Sequence, residues 1–126
     1  MTPERMETLA QAIRDKDVEA LMAHYAPDVV VFDLRPPLQV RGADAYRKNF
    51  EAWFASVQGP IDFAMRDLQI TTSNDIAFAH YLARVRSTRK TDSWADYSVR
   101  VTAGCRRVNG AWLIAHEHIS VPVSVA

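Results

Sequence analysis

The chain is poor in cysteine, in net charge and in long apolar runs, and each shortage excludes a class of protein. Its single cysteine, Cys105, cannot form a disulfide within the chain, which favours a reducing compartment. The fifteen basic and fifteen acidic residues give a net charge of zero, so the sequence lacks the excess positive charge typical of proteins that bind nucleic acid or acidic lipid. No run reaches the roughly 18 apolar residues that span a bilayer, and the first residues lack the apolar core of a signal peptide. We expect a cytoplasmic protein without nucleic-acid or membrane partners.

The length predicts one domain, residues 1–126, and its first half carries the signals of three helices and one strand. Thr2 predicts the N-cap of a first helix, and Asp17 predicts the N-cap of a second. Residues 28–33 are rich in β-branched side chains and predict a strand. A third helix follows Gly42, because apolar side chains recur there at helical spacing. Its apolar stripe is Tyr46, Phe50, Trp53, Phe54 and Val57.

From Ile61 onward apolar residues recur at every second position, which predicts four strands to the end of the chain. A one-residue phase slip near Arg66 and Asp67 predicts a β-bulge, which bends a sheet. Asn109 followed by Gly110 predicts a tight hairpin. Helices followed by long antiparallel strands indicate an α+β domain. We expect three helices packed on a strongly curved, mostly antiparallel sheet that encloses a pocket.

Each of the last three strands has one mixed polar and aromatic face and one face of small apolar residues. Polar groups that converge on an apolar cavity are typical of a small-molecule site. We therefore predict that the mixed face lines the pocket and binds a small molecule, together with Trp53 of the third helix. The Ala- and Val-rich face then remains available for a homodimer through the sheet. The predicted wall consists of His80, Arg84, Trp94, Arg100, Trp112, His116 and His118.

Structural interpretations of the histidine and tryptophan side chains stay open beside this one. The three histidines are also typical of hydrogen-bonded wall residues, and Trp53 and Trp112 are typical of a core. His116 and His118 share a strand face and could chelate a metal ion. No third ligand stands at a metal-like spacing, so we predict no metal site and no cofactor.

Arginine and aspartate in the same region also have two interpretations. Arg84 and Arg100 are suited to anion binding, and equally suited to ion pairs with Asp96 or Glu117. Asp33 ends a strand before a proline-rich loop, where a carboxylate is often only a turn residue.

Two segments carry a resemblance to known proteins. Residues 99–122, which end in Asn-Gly-Ala-Trp-Leu-Ile-Ala-His-Glu-His-Ile-Ser-Val-Pro, resemble the closing hairpin of SnoaL-like proteins and the calcium/calmodulin-dependent kinase association domain. Residues 17–42, with Tyr-Ala-Pro-Asp-Val-Val-Val-Phe-Asp, are similar to the ketosteroid isomerases. Over essentially its whole length the chain resembles the nuclear transport factor 2-like superfamily. This resemblance implies a cone-shaped α+β fold with an interior pocket, commonly as a dimer.

The same resemblance implies roles for individual residues. Asp33 falls where steroid isomerases keep their general base, and Tyr25 falls on one tyrosine of the hydrogen-bonded network of the family. The oxyanion-donating tyrosine falls on Leu9 and a further network tyrosine on Phe50. Each missing donor is worth about 3–4 kcal/mol of transition-state stabilisation. We therefore do not expect steroid isomerisation itself.

Three functions are compatible with these observations. The first is cofactor-independent acid–base catalysis of the isomerase or lyase type on a small, partly apolar compound. Asp33 would be its base, His116 and His118 its electrophilic partners, and Tyr25 a substrate-binding residue. The second is non-catalytic binding of a carboxylic acid by Arg84 and Arg100. The third is a dimeric association domain, and the fold alone does not decide among the three.

Overall fold

Helices precede the long strands along the chain, as the change of apolar period predicts. The computed structural model describes residues 1–125. Strand β1 begins three residues earlier than predicted, and a two-residue strand β2 lies in a segment predicted as loop. The elements are α1 (Pro3–Arg14), α2 (Val18–Met22), β1 (Tyr25–Phe32), β2 (Val40–Arg41), α3 (Ala43–Ala55), β3 (Val57–Ser73), β4 (Ile76–Arg89), β5 (Trp94–Val108) and β6 (Ala111–Ser120).

Local capping explains where the helices begin. The Thr2 hydroxyl accepts a hydrogen bond from the Arg5 amide at 3.2 Å, and the Asp17 carboxylate accepts one from the Ala20 amide at 3.1 Å. Both predicted N-caps are confirmed. Helix α3 follows Gly42, whose φ of +90° is readily reached only by glycine. No helix in the described part of the chain is long and apolar enough to cross a membrane.

Within residues 1–125, six strands form one sheet in the order β2-β1-β6-β5-β4-β3, and β1 with β6 is the one parallel pair. The predicted bulge is confirmed, because the register of β3 against β4 shifts between Arg66 and Gln69 and Asp67 has a φ of +57°. Bulges bend strands, so the long strands curl around the helices. The predicted fold class, three helices on a curved, mostly antiparallel sheet, is confirmed.

A second bulge, in β6, changes which side chains share a face. Ile114 and His116 pair with consecutive residues of β5, so Ala115 is an extra residue. Strict alternation would have placed Ile114 and His116 on one face. Instead Glu117 shares the buried side with Ile114, and the two are 3% and 1% exposed.

The sheet has an inner face under the helices and an outer face on the opposite side. The inner face carries the small apolar residues of β4 and β5, which pack in one core with α1 and α3. The prediction that this face meets a second subunit is wrong, because the helices cover it. Homodimerisation itself stays a prediction. The inner-face residues of β4 and β5 are Ala77, Ala79, Tyr81, Ala83, Val85, Ser87, Ala95, Tyr97, Val99, Val101, Ala103 and Cys105.

Candidate acid–base site

A cavity of about 710 Å³ lies between the helices and the inner face. Its walls are apolar, its floor holds buried polar side chains, and its mouth holds polar side chains that are half-buried or exposed. An apolar cavity of this size with a few convergent polar groups is typical of a small-molecule site. The walls include Leu9, Ile13, Phe50, Trp53, Phe63, Val85, Val99 and Ile119; the floor consists of Tyr25, Tyr46, Tyr81 and Glu117; the mouth includes Asp33, Arg35, Arg89 and Tyr97.

Glu117 is the carboxyl group on the floor, and two tyrosines hold it. The Tyr46 hydroxyl donates a hydrogen bond to Oε1 of Glu117 at 2.7 Å. The Tyr25 hydroxyl lies 3.1 Å from both Oε1 and Oε2. The two tyrosine rings meet edge to face, with centroids 5.2 Å apart, which fixes the direction of both hydroxyls. Oε1 therefore accepts more hydrogen bonds than Oε2, and Oε2 retains hydrogen-bonding capacity.

Burial sets the electrostatics of this carboxyl group. Desolvation raises the pKa of Glu117 to about 7, the hydrogen bonds from Tyr46 and Tyr25 oppose the rise, and the negative charge of Asp33 adds to it. Burial likewise raises the pKa of Tyr25 and Tyr46 well above 10, so both keep their donor protons. A carboxyl group with a pKa near 7 can give or take a proton at neutral pH, which is what general acid–base catalysis requires.

Asp33 is a second carboxyl group of the cavity, nearer its mouth. It directly follows β1 and is half-buried, and its Oδ1 accepts a hydrogen bond from the Leu34 amide at 2.7 Å. Glu117 pairs with Val31 across the parallel strands β1 and β6. Asp33 is two residues beyond Val31, so its backbone lies roughly 7 Å further toward the mouth. The two carboxyl groups thus lie at different depths of the same cavity.

The remaining predicted site residues divide between the cavity and the outer face. Tyr25 and Trp53 line the cavity. Trp112 packs against the edge of the core, with the Arg107 guanidinium 5.4 Å from its ring centre. The prediction that the mixed face lines the pocket under the helices is wrong, because burying small apolar residues is favourable and burying arginine and histidine is not. His80 and Arg100 instead line a separate, more open cavity of about 620 Å³ on the outer face. The outer-face residues are His80, Arg84, Trp94, Arg100, His116 and His118.

Three of the predicted site residues on the outer face form hydrogen bonds within the fold. Arg84 forms two hydrogen bonds with Asp96, at 3.0 and 2.8 Å, which confirms the ion-pair interpretation for this residue. Arg100 donates to the Ser120 hydroxyl at 3.0 Å and has no contact with Glu117. Nδ1 of His116 lies 2.7 Å from the Val30 carbonyl oxygen. Among residues 1–125, no three His, Cys, Asp or Glu side chains are arranged to hold a metal ion.

Of the four floor residues, only Tyr25 is among the predicted site residues; Tyr46, Tyr81 and Glu117 are not. Glu117 is the single acid on an otherwise apolar strand face. Because a carboxylate is rarely buried without a partner, this pattern could have indicated a buried carboxyl group held by other polar side chains. Tyr46 was assigned only to the apolar stripe of α3, although a buried tyrosine needs a partner for its hydroxyl. Arg35 and Arg89 carried no periodic signal, because they lie in a loop and at a strand end.

Nearly the whole chain matches one known family. The model of the SnoaL-like domain matches residues 4–124. The chain belongs to the SnoaL-like domain family. The resemblance predicted from residues 17–42 and 99–122 is thereby confirmed. No curated protein matches the sequence significantly.

Solved structures share this SnoaL-like fold. A nuclear transport factor 2-like protein of unknown function from Pseudomonas putida KT2440 is 34% identical, with a TM-score of 0.86 over 96% of this chain and 84% of that one. A ketosteroid isomerase-like protein from Erwinia carotovora atroseptica is 20% identical, with a TM-score of 0.78 over 92% and 89%. A candidate scytalone dehydratase from Novosphingobium aromaticivorans is 16% identical, with a TM-score of 0.85 over 95% and 80%. The last two show the fold alone, and the cone-shaped fold is confirmed.

Proposed function

We propose that this protein binds a small, partly apolar carbonyl compound in the cavity and moves a proton on it, in chemistry of the isomerase or lyase type. The observation that carries the proposal is the buried carboxyl group of Glu117, with a pKa of about 7, held by Tyr25 and Tyr46 on the floor of the cavity. Buried carboxyl groups with strongly raised pKa values cluster at functional sites. The names of a ketosteroid isomerase-like protein and a candidate dehydratase among the similar structures support the same class of chemistry.

The proposed step uses both carboxyl groups. Asp33 takes a proton from the carbon beside the carbonyl group, and the electron pair of that C–H bond moves toward the carbonyl oxygen. Protonated Glu117 donates a hydrogen bond from Oε2 to this oxygen while its charge develops. Return of the proton from Asp33 to a different carbon of an unsaturated ketone gives an isomer. Alternatively, the electron pair of the enolate forms a C=C bond and breaks the C–O bond of a β-hydroxyl group, which takes the proton from Asp33 and leaves as water. Glu117 thus takes the electrophilic role that the sequence assigned to His116 and His118.

Exchange of carbon-bound protons with solvent tests this step. Bicyclic ketones of a size that suits the cavity, beginning with 2-tetralone, would be incubated with the protein in D₂O and followed by proton NMR. We expect deuterium incorporation above the buffer rate, reduced at least about 100-fold by Asp33→Asn and by Glu117→Gln. His118→Ala, on the outer face, is the matched control and should retain the rate. Exchange that both cavity substitutions leave unchanged would refute the proposed chemistry.

Non-catalytic binding in the same cavity is the second candidate. Leu9 lines the cavity as an apolar side chain at the position where the resemblance places an oxyanion-donating tyrosine. A ketone that raises the melting temperature by mass action, with no deuterium incorporation into any ketone tested, would favour this candidate.

Association through the outer face is a separate proposal. Phe32 and Phe78 are exposed on this face, by 38% and 49%, and Phe32 packs against the ring of His116 at 4.7 Å. Exposed apolar groups on a sheet are suited to a self-complementary contact about a twofold axis. We expect a dimer in sedimentation velocity, converted to a monomer by Phe78→Glu. A wild-type protein that sediments as a monomer at all concentrations would refute this proposal.

A further inference from the structure

Two arginines at the mouth of the cavity differ from most other arginines of the chain. Arg35 and Arg89 line the cavity, are exposed, and form no ion pair with any carboxylate among residues 1–125. Guanidinium groups match the planar geometry of a carboxylate and recognise it through two hydrogen bonds. The arginines that do pair with carboxylates are Arg14, Arg47, Arg66, Arg84, Arg86, Arg106 and Arg107.

The two arginines come from different parts of the chain and line the same cavity as Tyr97. Arg35 lies in the loop after β1, and Arg89 is the last residue of β4. Burial raises the pKa of Tyr97, and the nearby positive charges of Arg35 and Arg89 oppose this rise. The hydroxyl of Tyr97 is a further hydrogen-bond donor in the lining of the cavity.

The charges of the cavity are arranged along its depth. Asp33 is the carboxylate at the mouth, and its negative charge also reaches Tyr97, so the two arginines leave the mouth with one net positive charge. Apolar walls follow below, formed in part by Phe50 and Trp53. The floor holds Glu117, which repels an anion when it is ionised. An elongated ligand with one anionic end is therefore stabilised with that end outward.

We propose that Arg35, Arg89 and Tyr97 form a carboxylate-binding subsite, and that the substrates of this cavity are aromatic or alicyclic carbonyl compounds with a carboxylate at the end opposite the carbonyl oxygen. This inference rests on the proposed function, because it assigns the substrate class of the same cavity. The carboxylate anchors the ligand at the mouth, and the length of the apolar body determines which carbon lies between Asp33 and Glu117. Anchoring of this kind positions a substrate without taking part in the proton transfer.

Calorimetric titration with a matched pair of ligands tests the subsite directly. 2-Naphthoate and 2-naphthamide have the same shape and differ in charge, and neither needs to react. We expect 2-naphthoate to bind at least about tenfold more tightly than the amide. Arg35→Ala and Arg89→Ala should each weaken 2-naphthoate about fivefold and leave the amide unchanged, because both arginines are exposed and partly screened.

Two further variants test whether the effect on affinity is specific to the charges at the mouth of the cavity. Arg41→Ala is the matched control, since Arg41 is also exposed and outside the ion pairs found among residues 1–125, but does not line the cavity. It should leave both affinities unchanged. Asp33→Asn removes the negative charge of the mouth and should tighten 2-naphthoate severalfold.

The outcomes separate this inference from the proposed function. Equal affinities for acid and amide, or an equal loss in the Arg41 variant, would overturn the subsite and leave the proton-transfer proposal standing. Binding of 2-naphthoate that depends on Arg35 and Arg89, without any exchange of ketone protons, would support the subsite in a non-catalytic binder. Failure of both ligands to bind would overturn the subsite.

Discussion

The two faces of one sheet place the same chemical group in opposite environments. On the outer face, the hydrogen bond from Arg84 holds the pKa of Asp96 below its usual value. On the inner face, burial raises the pKa of Glu117 to about 7 although two tyrosine hydroxyls donate to it. Asp96 is an ordinary surface carboxylate, whereas Glu117 can exchange a proton at neutral pH. The side of the sheet, rather than the residue type, therefore decides which carboxyl group can exchange a proton at neutral pH.

The largest expected effect is on the pH dependence of stability. The folded-state pKa of Glu117 lies above the ordinary value of 4.5, so its stabilising contribution is complete below about pH 4.5 and is lost as the pH rises through about 7. This loss is on the order of 3 kcal/mol in the free energy of unfolding. Glu117→Gln cannot ionise and should lose less stability between pH 5 and pH 8 in urea denaturation.

Asp96→Asn is the control for this measurement. The pKa of Asp96 is lowered in the folded protein, so its contribution is present above its unfolded pKa and is lost only as the pH falls toward acid values. The variant should keep the wild-type profile between pH 5 and pH 8. If wild type and Glu117→Gln lose the same free energy of unfolding between pH 5 and pH 8, then Glu117 does not have the raised pKa described above.

A smaller effect is expected from removing one donor on the floor. The Tyr46 hydrogen bond lowers the pKa of Glu117, so Tyr46→Phe should raise that pKa by about one further unit and move the midpoint of the stability profile to higher pH. Tyr81→Phe is the matched control, because Tyr81 lines the same cavity and forms no hydrogen bond with Glu117. A midpoint that moves equally in both variants would mean that cavity polarity, and not this bond, sets the pKa.

The smallest effect belongs to the outer face. Arg84→Ala removes the ion pair with Asp96, and both side chains are well exposed to solvent. Exposed ion pairs contribute little, so the melting temperature should change by no more than about 2 °C. Proton exchange into ketones should be unaffected. A loss of proton exchange in Arg84→Ala would show that the outer face affects the chemistry of the cavity, which would contradict the separate roles of the two faces.

Local features of the fold were predictable because local residues encode them. Thr2 and Asp17 cap helices through their own side chains, and these caps need no knowledge of the rest of the molecule. Asn109 and Gly110 have φ values of +50° and +80°, which is the geometry that an Asn-Gly hairpin favours. The bulge at Asp67 was visible as a phase slip between two well-patterned segments.

The orientation of the sheet was not predictable from alternation alone. Alternation separates two faces of β4 and β5 correctly but does not say which one the helices cover, since that depends on contacts distant in sequence. In β6 the extra residue Ala115 interrupts alternation within a continuous apolar stretch, where no phase slip is visible. Glu117 could have been singled out as the one acid of an apolar face, whereas its contacts with Tyr25 and Tyr46 depend on tertiary packing.

Titration of the Glu117 carboxyl carbon by ¹³C NMR measures the pKa of the buried acid itself. Its resonance would be assigned by its absence from the spectrum of Glu117→Gln. We expect a midpoint near pH 7, far above the ordinary value of 4.5 for a glutamate. A midpoint near 4.5 would contradict the account, because Glu117 would then be an ordinary ionised carboxylate throughout the neutral range.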